Sequence, residues 1–196
     1  MLFAASPAAA DMIDTSGMQP WEICGMCHSL DGISAMAKFP KLAGQRAAYI
    51  EKQFMDMHAG RRTNEGGQMQ AITLEIDHGD LPAIAAYFAG LPAPPPASFD
   101  AVDGATVGQS LFDNGRDGVP ACRGCHDTNS PDMPLAPWLE AQHEAYLSKQ
   151  LSDFKGGERD NDPDGVMRAV AISLSEYEIA ALAAYLAAQP RPKRDP

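Results

Sequence analysis

Cys24-Gly25-Met26-Cys27-His28 reads C-x-x-C-H, and Cys122-Arg123-Gly124-Cys125-His126 repeats that pattern 98 residues later. C-x-x-C-H is the attachment signature of c-type haem. Its two thiols add to the vinyl groups of the porphyrin, and the adjacent histidine is held beneath the iron as proximal ligand. Two copies predict two covalent haem c groups. Two other readings compete. A redox dithiol of the thioredoxin kind has no need of a following histidine. A zinc site built from two C-x-x-C pairs wants them close together, and these pairs lie far beyond a compact ribbon. The motifs consume all four cysteines of the chain, so no disulfide framework remains.

A chain of 196 residues holds one large domain or two small ones. Each half would be small for a self-sufficient core. A haem offsets that deficit with an apolar disc and two covalent anchors. The formal net charge is −11, from six basic against ten acidic side chains in residues 1–98 and nine against sixteen thereafter. An acidic surface argues against nucleic acid or an anionic membrane as partner. It suits simple solubility, or steering toward a redox partner with a basic docking face.

The start of the chain ends a short apolar run with Ala8-Ala9-Ala10 before Asp11. That fits the small-residue rule for signal cleavage, although a basic leading region is missing. Residues 1–10 therefore read as the remnant of an export signal. The mature protein is expected in the periplasm, the compartment where bacteria attach haem c. No apolar run is long enough to span a bilayer.

The internal repeat extends well beyond the cysteines. Pro40-Lys41-Leu42 pairs with Pro137-Trp138-Leu139, Tyr49 with Tyr146, Gln53 with Gln150, Gly60 with Gly157, Arg62 with Arg159 and Asn64 with Asn161, all at an offset of 97. Met69 and Met167 return to an offset of 98, as do Tyr87 and Tyr185, so Cys-to-Met separation is 45 in both halves. Between the halves lies Leu91-Pro92-Ala93-Pro94-Pro95-Pro96-Ala97, whose prolines favour an extended, stiff linker. The expected organisation is a first domain over 11–91, a linker over 92–98, a second domain over 99–190 and a polar tail over 191–196.

Each half reads as three short helices around loops, with no alternating strand pattern, so the fold class is all-α. Gly108 to Asn114 leads the second half. Its counterpart from Gly17 to Ile23 is less regular, with Pro20 placed in a first helical turn. The middle helices carry Ile50, Phe54 and Met57, matched by Leu147, Leu151 and Phe154, an i, i+4, i+7 face. Gly60 and Gly157 are expected to stop them. Asp77 and Ser175 are N-caps for the last helices, and Ser175 with Glu178 makes a capping box.

What fills the face of each iron opposite the histidine decides between carrier and catalyst. Of the chain's ten methionines, Met69 and Met167 keep the repeat, whereas Met26, Met36, Met55, Met57 and Met133 have no partner. Most methionines are flexible core fillers, so duplication selects this pair as sixth ligands, each carried by a loop before the last helix. The remaining histidines fail the same test: His58 faces Lys155, His78 faces Glu176 and His143 faces Arg46, and all three read as surface residues. A thioether is neutral and soft. It favours Fe(II) and raises the potential relative to a second imidazole.

The supporting residues are less determined. Pro40 and Pro137 either offer a backbone carbonyl to the imidazole Nδ1–H or simply make a turn. Arg62 and Arg159 read as solvated loop cations, with pairing to haem propionates as the alternative. Tyr49, Tyr146, Tyr87 and Tyr185 read as core-facing, their hydroxyls on propionates or on the seam between halves.

These residues together resemble the dihaem cytochrome c4 family over nearly the whole mature chain. The carriers of the resemblance are Pro40-x-Leu42-Ala43-Gly44-Gln45-x-x-x-Tyr49, Tyr146-Leu147-x-x-Gln150-Leu151, Val119-Pro120-Ala121-Cys122, Asn161 to Met167, and Leu174-Ser175 through Tyr185. The resemblance implies two tandem cytochrome c-like domains related by an approximate twofold, with their haems near each other. It implies His/Met ligation by His28, Met69, His126 and Met167 and electron transfer in the periplasm. Ser29 stands where the family has glycine after the first His, and Leu139-Glu140-Ala141-Gln142 departs from Leu-Ala-Gly-Gln. The expected role is a monomeric or weakly dimeric carrier of single electrons. A quinol-oxidising complex or dehydrogenase would be the donor, and a terminal oxidase or another cytochrome the acceptor. The alternative is a dedicated electron-accepting subunit of a periplasmic dehydrogenase. A dihaem peroxidase would need an openable iron with distal acid–base groups, which the matched methionines oppose.

Overall fold

The computed structural model describes residues 16–98, 105–127 and 133–192. The expected signal remnant at 1–10 lies outside them, as do the first residues of the second half. Among the described residues, regular structure is helical, with one isolated bridge between Arg116 and Val119. The first half runs α1 (Glu22–His28), α2 (Ala47–His58), α3 (Gln68–Leu74) and α4 (Leu81–Gly90). The second runs α5 (Ala105–Asn114), α6 (Arg123–His126), α7 (Glu144–Gly156), α8 (Val166–Ile172) and α9 (Glu176–Ala187).

This is more helix than the three per half expected, because the methionine segments are helical and, in the second half, the C-x-x-C-H turn forms a helix of its own. Gly67 and Gly165 look like loop residues, yet each sits left-handed as an N-cap, at φ 80° and 70°. The positive φ that would break a helix interior here starts one. Loop carboxylates complete the caps: Glu65 Oε2 accepts Met69 N–H at 2.8 Å, and Asp162 Oδ2 accepts Arg168 N–H at 3.0 Å.

The middle helices α2 and α7 bury Ile50, Phe54 and Met57, and Leu147 and Phe154, on the expected faces. Gly157 ends α7 at φ 86°, and Gly60 follows α2 at φ 68°. Ser175 and Glu178 form both bonds of the capping box at the start of α9. Asp77 caps a single 3₁₀ turn, His78–Asp80, which feeds α4. Pro20 lies in the turn before α1 rather than inside it. Trp21, not a proline, precedes the first helical residue.

Two apolar clusters result. In the first half Ile50, Ile84, Ala85 and Phe88 pack together, flanked by Trp21, Leu42 and Tyr87. In the second, Leu111, Phe112, Val119, Leu147, Leu174, Ile179, Leu182 and Leu186 do so. Burying one such large side chain contributes about 1.5–3 kcal/mol, so the second cluster is the larger store of stability.

Between the clusters runs a polar seam that obeys the repeat. Arg62 and Arg159 are buried in it, which corrects the solvated reading. Arg62 Nη1 donates to Gln53 Oε1 of its own half at 2.8 Å, and Nη2 crosses to Gln150 Oε1 at 3.0 Å and Tyr146 Oη at 3.1 Å. Arg159 mirrors it: Nη1 to Gln150 Oε1 at 2.8 Å, Nη2 to Gln53 Oε1 at 3.1 Å and to Tyr49 Oη at 3.4 Å. Asn64 reaches Gln150 and Asp153, while Asn161 reaches Gln53 and Asp56. Lys52 pairs with Asp56, and Lys149 with Asp153. Each buried guanidinium leaves water only because these acceptors replace it.

Arg191, expected in a polar tail, is also buried here. Its Nη1 donates to Ala43 O at 2.5 Å and its Nε to Glu140 O at 3.1 Å. Those two carbonyls are equivalent positions of the two halves. Burial pushes the Arg191 guanidinium down to about 10, against the opposing pull of Glu140.

Candidate haem sites

Each C-x-x-C-H motif folds as a helical turn that ends on its histidine. α1 carries Cys24, Cys27 and His28, and the shorter α6 carries Cys125 and His126 just after its N-cap, Cys122. The helical turn brings the paired sulfurs and the ring to one side of the backbone. All four cysteines are free and partly buried. Burial pushes the Cys24 and Cys122 thiols up to about 11. Among the described residues no group of three or more His, Cys, Asp or Glu side chains could hold a metal ion, so the two C-x-x-C pairs do not come together as a zinc site requires.

Both histidines are buried, at 4% and 7% exposure. His28 Nδ1–H donates to Pro40 O at 2.9 Å, and His126 Nδ1–H to Pro137 O at 2.8 Å. Of the two roles open to these prolines, the structure selects the carbonyl. Burial lowers both imidazoles below their ordinary range, against the opposing carbonyl bond; Arg46 adds to the lowering at His126. Each ring is thus a neutral imidazole with Nδ1 protonated and the Nε2 lone pair free for a metal. Phe39 stands edge-on to His28, with ring centroids 6.0 Å apart. The donor set of each half therefore fits a covalently anchored haem: two sulfurs and an oriented, neutral imidazole.

Met69 and Met167 occupy the second position of α3 and α8, and both are partly buried. α3 packs on α2, and α8 on α7. The unmatched Met26, Met36 and Met133 are exposed, and Met57 is buried in packing. The other histidines are otherwise engaged. His58 Nδ1–H meets Thr73 O at 3.1 Å, and the rings of His58 and His78 pack edge to face at 4.1 Å. Lys155 and Glu176, their counterparts, form an ion pair at 3.2 Å. His143 is not the surface residue expected, since its Nε2 lies 3.0 Å from Ser34 O in the other half.

Sequence reasoning missed a second crossing, made by glutamines. Gln142 Oε1 accepts Lys41 N–H at 2.9 Å, and its Nε2 donates to Lys41 O at 3.0 Å. Gln45 makes the same two bonds to Trp138, at 2.8 and 3.0 Å. The matched offset of Gln45 and Gln142 was the available signal. Lys41 and Trp138 directly follow the two prolines, so each clamp grips the loop beneath the opposite half's histidine. Arg46 also crosses, stacking on Trp138 at 3.8 Å and donating to Asp127 O at 2.9 Å.

Two helical halves, each with a C-x-x-C-H turn and an oriented histidine, define a tandem dihaem c-type cytochrome. The comparisons with known proteins carry this further. The chain is 39% identical to cytochrome c4 of Azotobacter vinelandii over 196 aligned positions, covering 93% of this chain and 89% of the relative. It superimposes on the crystal structure of reduced recombinant cytochrome c4 from Pseudomonas stutzeri with a TM-score of 0.75 and 39% identity, covering 85% of this chain and 93% of that one. It is 33% identical to a thiosulfate dehydrogenase electron acceptor of Stutzerimonas stutzeri, covering 84% of this chain and 77% of the relative. No family model matches it. The chain belongs to the cytochrome c4 family. It is an electron-transfer cytochrome with two haem c groups. Among the described residues no single helix is long and apolar enough to cross a membrane.

Proposed function

We propose that this chain carries single electrons in the periplasm through two haems closed on both faces. In this reading Cys24 and Cys27 anchor one haem and Cys122 and Cys125 the other. His28 and Met69 ligate the first iron, and His126 and Met167 the second. The haem supplies one-electron chemistry when bound. The chain's own residues hold the imidazoles, shape an apolar surround and keep water out. The observation that supports this best is that every member of the set recurs in register, down to the carbonyls of Pro40 and Pro137 on the histidines. A thioether and a low-polarity surround both favour Fe(II), which suits a carrier at fairly high potential. Donors of the fitting class are a quinol-oxidising complex or a dehydrogenase, and acceptors a terminal oxidase or another cytochrome. A carrier needs no distal acid–base group, and none of His58, His78 or His143 is free to serve as one.

Carbon monoxide added to the dithionite-reduced protein tests this. An unchanged absorption spectrum is expected. A CO adduct would overturn closed ligation at that iron and reopen a catalytic or gas-binding role.

A second reading has its own support. The likeness to a thiosulfate dehydrogenase electron acceptor favours a chain that takes electrons from one dedicated enzyme. Affinity purification from the native source separates the two. A catalytic chain recovered in stoichiometric amount favours the dedicated subunit, and a free cytochrome favours the shuttle.

A further inference from the structure

The Pro40 carbonyl that accepts from His28 and the Lys41 N–H that donates to Gln142 belong to one and the same peptide group. The result is an unbroken chain: His28 Nδ1–H to Pro40 O at 2.9 Å, then through the peptide plane from Lys41 N–H to Gln142 Oε1 at 2.9 Å. The other half repeats it, with His126 to Pro137 O at 2.8 Å and Trp138 N–H to Gln45 Oε1 at 2.8 Å. Gln45 and Gln142 are buried. Each is held as a rigid clamp by its second bond, from Nε2 to the carbonyl of the residue it grips.

We infer that Gln45 and Gln142 are positioning residues that set the potential of the haem in the opposite domain. The inference rests on His28 and His126 as proximal ligands. The physical argument is polarisation along a hydrogen-bonded chain. An acceptor on Lys41 N–H makes the Pro40 carbonyl a better acceptor in turn. That draws the His28 Nδ1 proton outward and makes the imidazole a stronger donor to iron, as carbonyl and carboxylate partners of metal-bound histidines do. A stronger donor favours Fe(III). Gln142 therefore lowers the potential of the first haem, and Gln45 that of the second. Because the amide is buried, no water takes its place.

The test is a redox titration of the holoprotein, each haem followed by its own domain-assigned NMR resonances. Gln142→Leu is expected to shift the reduction equilibrium of the first haem about threefold toward Fe(II), ~30 mV at 59 mV per tenfold, while the second haem moves far less. Gln45→Leu is expected to do the reverse. Equal shifts of both haems would mean a loosened interface and overturn the inference. So would a shift confined to the mutated domain's own haem, or no shift. Should Gln142→Leu fail to assemble, Gln142→Glu keeps the length and strengthens the acceptor. It should lower the first haem's potential more than the second's, and the opposite order would overturn the inference. The ligand reading is checked separately in the unsubstituted protein by its proximal-imidazole resonances, so its failure appears before any substitution is made.

Discussion

The two halves agree along the arginine seam, the glutamine clamps and the loops beneath their histidines, and differ in what packs against their last helices. In the second half α5 lies across α9, and Gly108 lets the backbones meet: a Cβ there would fall 2.2 Å from Ala181 O and 2.7 Å from Tyr185 Cβ. The first half has turns rather than a helix over residues 16–21. There Trp21 stacks on Tyr87, the counterpart of Tyr185, at 4.6 Å and 7°. One aromatic plate does what a helix does in the other half. The same freedom appears at His58 and His78, which replace an ion pair. The histidine–carbonyl bonds, the arginine network and the glutamine clamps, by contrast, match bond for bond. Repetition holds where each half supplies acceptors to the other, as Gln53 and Gln150 do for the two arginines.

The comparison can be broken most severely at Gly108. Gly108→Val should destabilise the second half by ~3 kcal/mol through overpacking against backbone. Hydrogen exchange of α9 amides should rise far more than that of α4. Equal rises in both helices would show that the halves share one unfolding unit.

Next in size are the seam arginines. Arg62→Met and Arg159→Met should each cost ~2 kcal/mol, the expected penalty for leaving buried acceptors unpaired. Chemical denaturation should give nearly equal values for the two, and the double substitution should cost less than their sum, since both serve Gln53 and Gln150. Unequal losses would show that the seam is less symmetric in energy than in geometry.

A smaller effect separates the last helices. Ser175→Ala should cost ~1 kcal/mol by removing the N-cap. Arg116, with the Ser175 backbone, holds the Glu178 carboxyl down at about 2. A depressed carboxyl stabilises the fold above its unfolded value of ~4.3 and loses that contribution as pH falls through about 2. Arg116 is 40% exposed, and solvent screening at that partner keeps the contribution under ~1 kcal/mol. Acid titration should therefore fray the start of α9 between pH 4 and 2, and Arg116→Gln should move that fraying to higher pH.

The smallest effect should be a gain. Ala141 sits left-handed at φ 55° where the first half has Gly44 at φ 65°. Ala141→Gly should stabilise by ~0.5–1 kcal/mol, because only the alanine meets the Cβ clash. A loss on thermal melting would mean that the buried methyl contributes more than the strain costs.

Much of this was legible in the sequence because it is local or repeated. The C-x-x-C-H turns, the middle-helix faces, Gly157 as a helix stop and the Ser175 box each declare themselves within a few residues. The seam did not. Arg62, Arg159, His143 and Arg191 are polar residues whose partners lie about 80 to 150 positions away. Composition alone sends such residues to solvent. Their matched spacing marked Arg62 and Arg159 as worth keeping but could not reveal that they face each other's glutamines. The helices bearing Met69 and Met167 were hidden by glycines used as N-caps rather than stops.

Arg191 makes the seam directional. One guanidinium spans the equivalent carbonyls of Ala43 and Glu140. The positions 97 and 98 residues earlier are Pro94 and Ala93, neither of which has a side-chain donor. A single cation that follows α9 thus ties one loop of each half to the same point, and neither half could make that tie alone.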